Sequence, residues 1–128
     1  GPAELVARAR LYRKRLGGGM RQVGVLAAAG LVALETIPPR LAEDHANARL
    51  LAEGLNGMRG VRATPPQTNI VVFDVAGTGH AAADLSAALK RRGVLINPIS
   101  PAAMRAVTHY DVSRAQCQSA LDTLKQIL

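Results

Sequence analysis

The apolar residues of this chain change period near residue 60, and that change limits the folds open to it. Before it, every apolar stretch has helical spacing. After it, short β-branched runs alternate with helical ones, a pattern that calls for a small sheet covered by helices. Residues 3–16 place Leu5, Val6, Leu11 and Leu16 among arginines and predict a basic, weakly amphipathic helix, which Gly17-Gly18-Gly19 then breaks. From Met20 to Ile37 the sequence is rich in Ala and Leu and apolar on most of its circumference, which predicts a long, largely buried helix ended by Pro38-Pro39. Residues 40–57 repeat Leu41, Ala48, Leu51 and Leu55 with charges on the other side, as a surface helix does.

Strand signals follow. Asn69 to Val75 is apolar and β-branched, flanked by Pro65-Pro66 and Gly77. Residues 79–92 return to helical spacing and stop at Gly93, a candidate left-handed cap behind Lys90-Arg91-Arg92. Val94–Ile99 and Met104–Tyr110 read as two further strands. Asp111 or Ser113 can cap a last helix that turns Cys117, Leu121 and Leu124 to one side. The expected architecture is α+β: a short, mostly antiparallel sheet with helices on one face over residues 60–128, preceded by a helical arm over residues 3–59. Gly1-Pro2 reads as the scar of a removed tag.

Composition narrows the chemistry. Tyr12, Phe73 and Tyr110 are the only aromatic residues, so the core must be aliphatic. No apolar run approaches the ~20 residues of a membrane span, and the first residues lack the pattern of a secretion signal. One cysteine permits no internal disulfide, so a cytoplasmic protein is the expectation. Of the net charge of +7, five units fall in residues 1–21, where Arg8, Arg10, Arg13, Lys14, Arg15 and Arg21 face only Glu4. Such a patch suits an anion, phosphorylated cofactors and nucleic acid included. The scarcity of aromatics and the lack of a recognition-helix motif argue against nucleic acid.

No self-contained active site is visible. His45, His80 and His109 are isolated from other ligand-type residues at metal spacing, and no metal site is expected. Cys117 belongs to an apolar helix face. Ser100 and Ser113 lack a nucleophile elbow, and the three glycines lack the sequel of a phosphate-binding loop. Two features could serve an active site. Arg105 interrupts an apolar strand, where a guanidinium either runs to solvent or meets an anion, a carboxylate fitting its planar fork. Lys14 and Arg21 straddle the triple glycine, as a solvated basic helix or as a grip on phosphate.

The stretches RKRLGGGMRQ (13–22), LAAAGLVALE (26–35), RLAEDHANA (40–48) and RAVTHYDVS (105–113) resemble the low-specificity L-threonine aldolases, in order and over nearly the whole chain. The resemblance implies the small C-terminal domain of a fold-type-I enzyme that uses pyridoxal phosphate. It implies a parent protein that cleaves threonine or allo-threonine to glycine and acetaldehyde. Arg105 matches the family's arginine for the substrate α-carboxylate; Lys14 and Arg21 match residues that reach the cofactor phosphate of a neighbouring subunit. The lysine that holds the cofactor as a Schiff base lies before the matched segment, and Lys14, Lys90 and Lys125 all stand in other motifs. This chain alone is therefore expected to be inactive. The implied partners are the cofactor-binding large domain of the same protein, further copies in a dimer or tetramer, and an amino acid, with no nucleic acid and no membrane. Tyr110 stands where the family commonly has leucine. A non-catalytic binding or regulatory module that keeps the same fold is the alternative.

Overall fold

A computed structural model describes residues 1–128, which form two compact units, 1–38 and 39–128.

The first unit holds two helices, α1 (Ala3–Arg15) and α2 (Gly24–Thr36). Helix α1 carries Glu4 in its first turn and Arg13, Lys14 and Arg15 in its last, the arrangement that complements a helix dipole. It stops where Gly17 takes a left-handed φ of 80° and the Gly18 N–H donates to the Arg13 carbonyl at 2.8 Å. A side chain at Gly17 would strain that turn. Helix α2 departs from expectation twice. It begins at Gly24 and not at Met20, because Gln22 sits at φ 51°, outside the helical region. It is also exposed along its whole length, Val25 to 76% and Leu34 to 73%, although its composition is that of a buried helix. Nothing within a unit of two short helices can cover an element that is apolar all round.

The second unit is the α+β sandwich. Helix α3 (Leu41–Asn56) leads to β1 (Arg62–Ala63) and β2 (Ile70–Asp74); then come α4 (Ala82–Arg91), β3 (Asn97–Pro98), β4 (Ala103–Val107) and α5 (Arg114–Lys125). The strand order is β1-β2-β4-β3, antiparallel throughout. The pattern predicts a boundary at residue 60, but α3 belongs with the sheet: Ala48, Leu51, Ala52 and Leu55 share one core with Val71, Phe73 and Met104. Leu85 and Leu89 of α4 and Cys117, Leu121 and Leu124 of α5 complete it. Alternation along β2 and β4 sends Val71, Phe73, Met104 and Ala106 to the helices and Ile70, Val72, Arg105 and Val107 to the other face. No helix of this unit lies on that second face.

Three local features deviate from the sequence reading. The strand expected over 94–99 shrinks to Asn97–Pro98, since the Val94 N–H donates to the Leu89 carbonyl and the Ser86 hydroxyl takes the Ile96 carbonyl at 2.7 Å. The strand expected to reach Tyr110 ends at Val107, because Thr108 turns its hydroxyl to α3. The short strand β1 has no periodicity to betray it. Its Ala63 exchanges two hydrogen bonds with the Asn56 side chain, at 3.1 and 2.8 Å, on the side away from β2. Ser113, one of the two residues able to cap α5, does so in a reciprocal box with Gln116. Gly93 is left-handed, with φ 81°.

Candidate functional site

Arg105 sits in the middle of β4, and β4 is an inner strand. Its cross-strand neighbours are Val72 on β2 and Asn97 on β3. The side chain stands on the uncovered face beside Ile70, Val72 and Val107, which are 46%, 36% and 42% exposed. It makes no ion pair and no side-chain hydrogen bond. A guanidinium with all its donors free, on an apolar sheet face, is able to take a carboxylate through two parallel N–H···O bonds. A concavity of about 550 Å³ lined by Gly57, Met58, Arg59, Gly77, Thr78, Lys125 and Leu128 lies elsewhere in the unit, and Arg105 does not border it.

The end of β4 is held by a polar cluster whose members the sequence reading did not single out. The Thr108 hydroxyl donates to the Asp44 carbonyl at 2.7 Å, and the Thr108 N–H donates to the Asn69 carbonyl at 3.0 Å. The Asn69 side chain returns a bond to the Thr108 carbonyl at 2.7 Å, and the Asn47 side chain donates to the Val112 carbonyl at 3.3 Å. Asp44 is 3% exposed, which corrects the expectation that the charges of α3 all face away from the core. Arg40 compensates it, reaching the two carboxylate oxygens at 3.2 and 3.4 Å while its guanidinium lies 4.7 Å from the Tyr110 ring centroid. Stretches 40–48 and 105–113 are thus brought together here. A signal was present: Asp44 is four residues before Ala48 and four after Arg40, on the same helix face as Leu51 and Leu55.

Lys14 and Arg21 belong to the other unit. Lys14 lies in the last turn of α1, and Arg21 opens the turn that precedes α2. A side chain at Gly19 would stand 3.2 Å from the Lys14 Cδ, so the glycine turn folds back along that lysine. Both cations are exposed and neither has a carboxylate partner. Cys117 is buried; desolvation pushes its thiol up, and the nearby Arg114 charge opposes this. Such a thiol packs and does not attack.

Residues 1–78 match the family model of the beta-eliminating lyases. The chain belongs to this family. It is 37% identical over 131 residues to low-specificity L-threonine aldolase 1 of Arabidopsis thaliana, covering all of this chain and 37% of that protein. Against the low specificity L-threonine aldolase of Escherichia coli K12 the identity is 47% over 116 residues, 91% of this chain and 33% of that one. The chain thus spans about a third of the length of the curated relatives it matches. Among solved structures it is similar to a NifS-like protein, with TM-score 0.70 and 17% identity over 85% of this chain and 34% of the other. It is also similar to the cysteine desulfurase CsdA of Escherichia coli, with TM-score 0.68 and 18% identity over 84% and 31%. A third is a C-DES structure with glycine covalently linked to its PLP cofactor, with TM-score 0.61 and 22% identity over 68% and 23%. These likenesses show the fold of fold-type-I enzymes, in agreement with the sequence.

The residues of this family member can be tested against that cofactor. Free cations beside a glycine turn suit a phosphate, and an unpaired arginine on the open sheet face suits an amino-acid carboxylate. Lys14, Lys90 and Lys125 are all exposed on helices, whereas covalent attachment of a carbonyl cofactor favours a desolvated lysine. The fit is to the periphery of the group.

Proposed function

We propose that this chain is the C-terminal domain of a pyridoxal-phosphate-dependent L-threonine aldolase, in which Arg105 binds the α-carboxylate of the amino acid. The observation that carries this reading is the partner-free guanidinium in the centre of the uncovered sheet face. Support comes from the aldolases that align with this chain from end to end. The cofactor, when bound, supplies the electron sink for breaking the Cα–Cβ bond of the substrate. The task of Arg105 is orientation. Its fork fixes both carboxylate oxygens, and with them the rotation about the substrate Cα, which decides which bond at that carbon is cleaved. Ile70, Val72 and Val107 keep water from competing along one side of that ion pair. Lys14 and Arg21 reach the cofactor phosphate of a neighbouring subunit and help neutralise it, and the remainder of the enzyme closes the side that the sheet leaves open. Taken alone, the chain performs no turnover.

The reading is tested in the intact enzyme with Arg105→Ala and Arg105→Lys. Removing a desolvated charge-assisted pair costs about 2–5 kcal/mol, so KM for threonine should rise at least ~30-fold in Arg105→Ala. Lysine should recover only part, because it supplies a point charge and no fork. An unchanged KM in both variants ends the proposal. For the chain alone, incubation with pyridoxal phosphate and borohydride should leave no single lysine specifically labelled in a peptide map.

A further inference from the structure

The proposed role of Arg105 raises the question of what aims it. Its own side chain has no bond to hold it, so its direction is set by the backbone of β4 and by the residues that anchor that strand. The anchor lies just past it. Thr108 closes the last rung with Asn69, main chain to main chain and side chain to main chain, at 3.0 and 2.7 Å. The same residue is tied across to α3 by its hydroxyl, which donates to the Asp44 carbonyl at 2.7 Å. The first turn of α3 is in turn fixed by Arg40, which grips the Asp44 carboxylate at 3.2 and 3.4 Å and touches Glu43 at 3.4 Å. Tyr110, two residues beyond Thr108, lies against the same guanidinium at 4.7 Å.

We propose that Arg40 is a positioning residue for Arg105, acting through Asp44 and Thr108 on the end of β4. This positioning role rests on the proposed carboxylate role of Arg105. Without Arg40, the buried Asp44 carboxylate, its side chain 5% exposed, has no counter-charge and must draw in water, and the helix turn that offers its carbonyl to Thr108 must shift with it. The last β2–β4 rung then loosens, and the register Val72↔Arg105 that aims the guanidinium lies only two pairs further in than Ile70↔Val107, the end pair of that ladder. Arg40 is well suited to the task because one planar group serves two partners: its donors take the carboxylate and its face takes the ring. The aliphatic core of the unit does not include Arg40, so loss of aim is separable from loss of fold.

The experiment uses the intact enzyme, with glycine as the probe and the visible absorbance of the bound cofactor as the reading of equilibrium binding. Arg40→Gln should weaken glycine by ~3–10-fold, within the range of coupling between residues in one network, raise KM for threonine by the same factor and lower kcat as the hold on the substrate Cα rotation loosens. Arg40→Lys should regain part of this, since an ammonium pairs with Asp44 but cannot lie flat on Tyr110. Tyr110→Ala, at an exposed site, should weaken glycine about twofold and keeps the test open should Arg40→Gln not fold. Ser86→Ala, which removes a different internal bond, should lower thermal stability and leave glycine binding where it was. A lowered unfolding midpoint with unaltered glycine affinity in Arg40→Gln and Tyr110→Ala makes the cluster merely structural and overturns the inference. Undiminished glycine binding in Arg105→Ala would instead remove the carboxylate role itself, and this inference with it.

Discussion

Replacing Gly54 by alanine sets two effects of opposite sign against each other, and the structure decides between them. In an unobstructed helix the change stabilises by up to ~1 kcal/mol, because alanine is the better helix former. At Gly54 of α3, however, a Cβ would collide with the Leu121 side chain of α5, standing 2.9 Å from Cδ2 and 3.2 Å from Cγ, with Cδ1 closer still. Leu121 is 4% exposed and packed in the core, so it cannot swing into solvent. Overpacking of this kind costs about 1–3 kcal/mol, which outweighs the propensity gain. A net loss of ~1–2 kcal/mol is expected, or a fall of about 5–10 °C in the midpoint of a unit this size. Thermal unfolding followed by circular dichroism reads the shift, and faster hydrogen exchange at Val71 and Phe73 assigns it to this unit. Gly30→Ala in α2, where a Cβ meets nothing within 4 Å, is the matched control and should increase helicity. If Gly54→Ala raises the midpoint, helices α3 and α5 are not in contact as described.

Three further outcomes are expected. Ser113→Ala removes the capping box of α5 and should cost ~1 kcal/mol in urea unfolding, whereas Ser113→Gly should cost only a few tenths; no loss in Ser113→Ala would mean that the cap contributes nothing. Cys117, buried and with its thiol pushed up, should resist iodoacetamide at pH 8 until denaturant is added. Its folded form holds the proton longer than the unfolded form does, so stability should fall as pH rises above the ordinary thiol range near ~8.5, and Cys117→Ala should abolish that slope. The exposed apolar α2 should drive the 128-residue chain to self-associate, and Leu31→Glu should reduce it in sedimentation velocity. A wild-type monomer that persists on concentration speaks against this.

Much of the architecture could be read from periodicity alone, since α3, α4 and α5 each display one apolar side and β2 alternates. Ser113 and Gly93 were legible because their roles at helix ends follow from local chemistry. What escaped was set by partners distant in sequence. The 94–96 segment is apolar, with β-branched Val94 and Ile96, but gives its hydrogen bonds to Leu89 and Ser86, and no propensity encodes that. Asp44 reads as a solvent-facing charge until Arg40 and Thr108 are placed around it. Arg105 was legible as an anomaly, a charge in an apolar strand; its face of the sheet follows from alternation, but its lack of any partner is a property of the folded chain. Helix α2 shows the converse, a composition that asks for burial in a unit too small to supply it.

The Asn56 side chain has a consequence for the fate of this sheet at high concentration. An edge strand normally offers free main-chain groups on which a stranger can stack. At Ala63 both groups are already taken by the asparagine amide, which behaves as a dummy strand one residue long. The opposite border carries Pro98, which has no N–H to lend. With one terminus of the ribbon plugged and the other blunted, growth into a cross-β filament has no good template at either border. Crowding should therefore drive these molecules toward contact through side chains, which is reversible, in preference to contact through backbone ladders, which often is not.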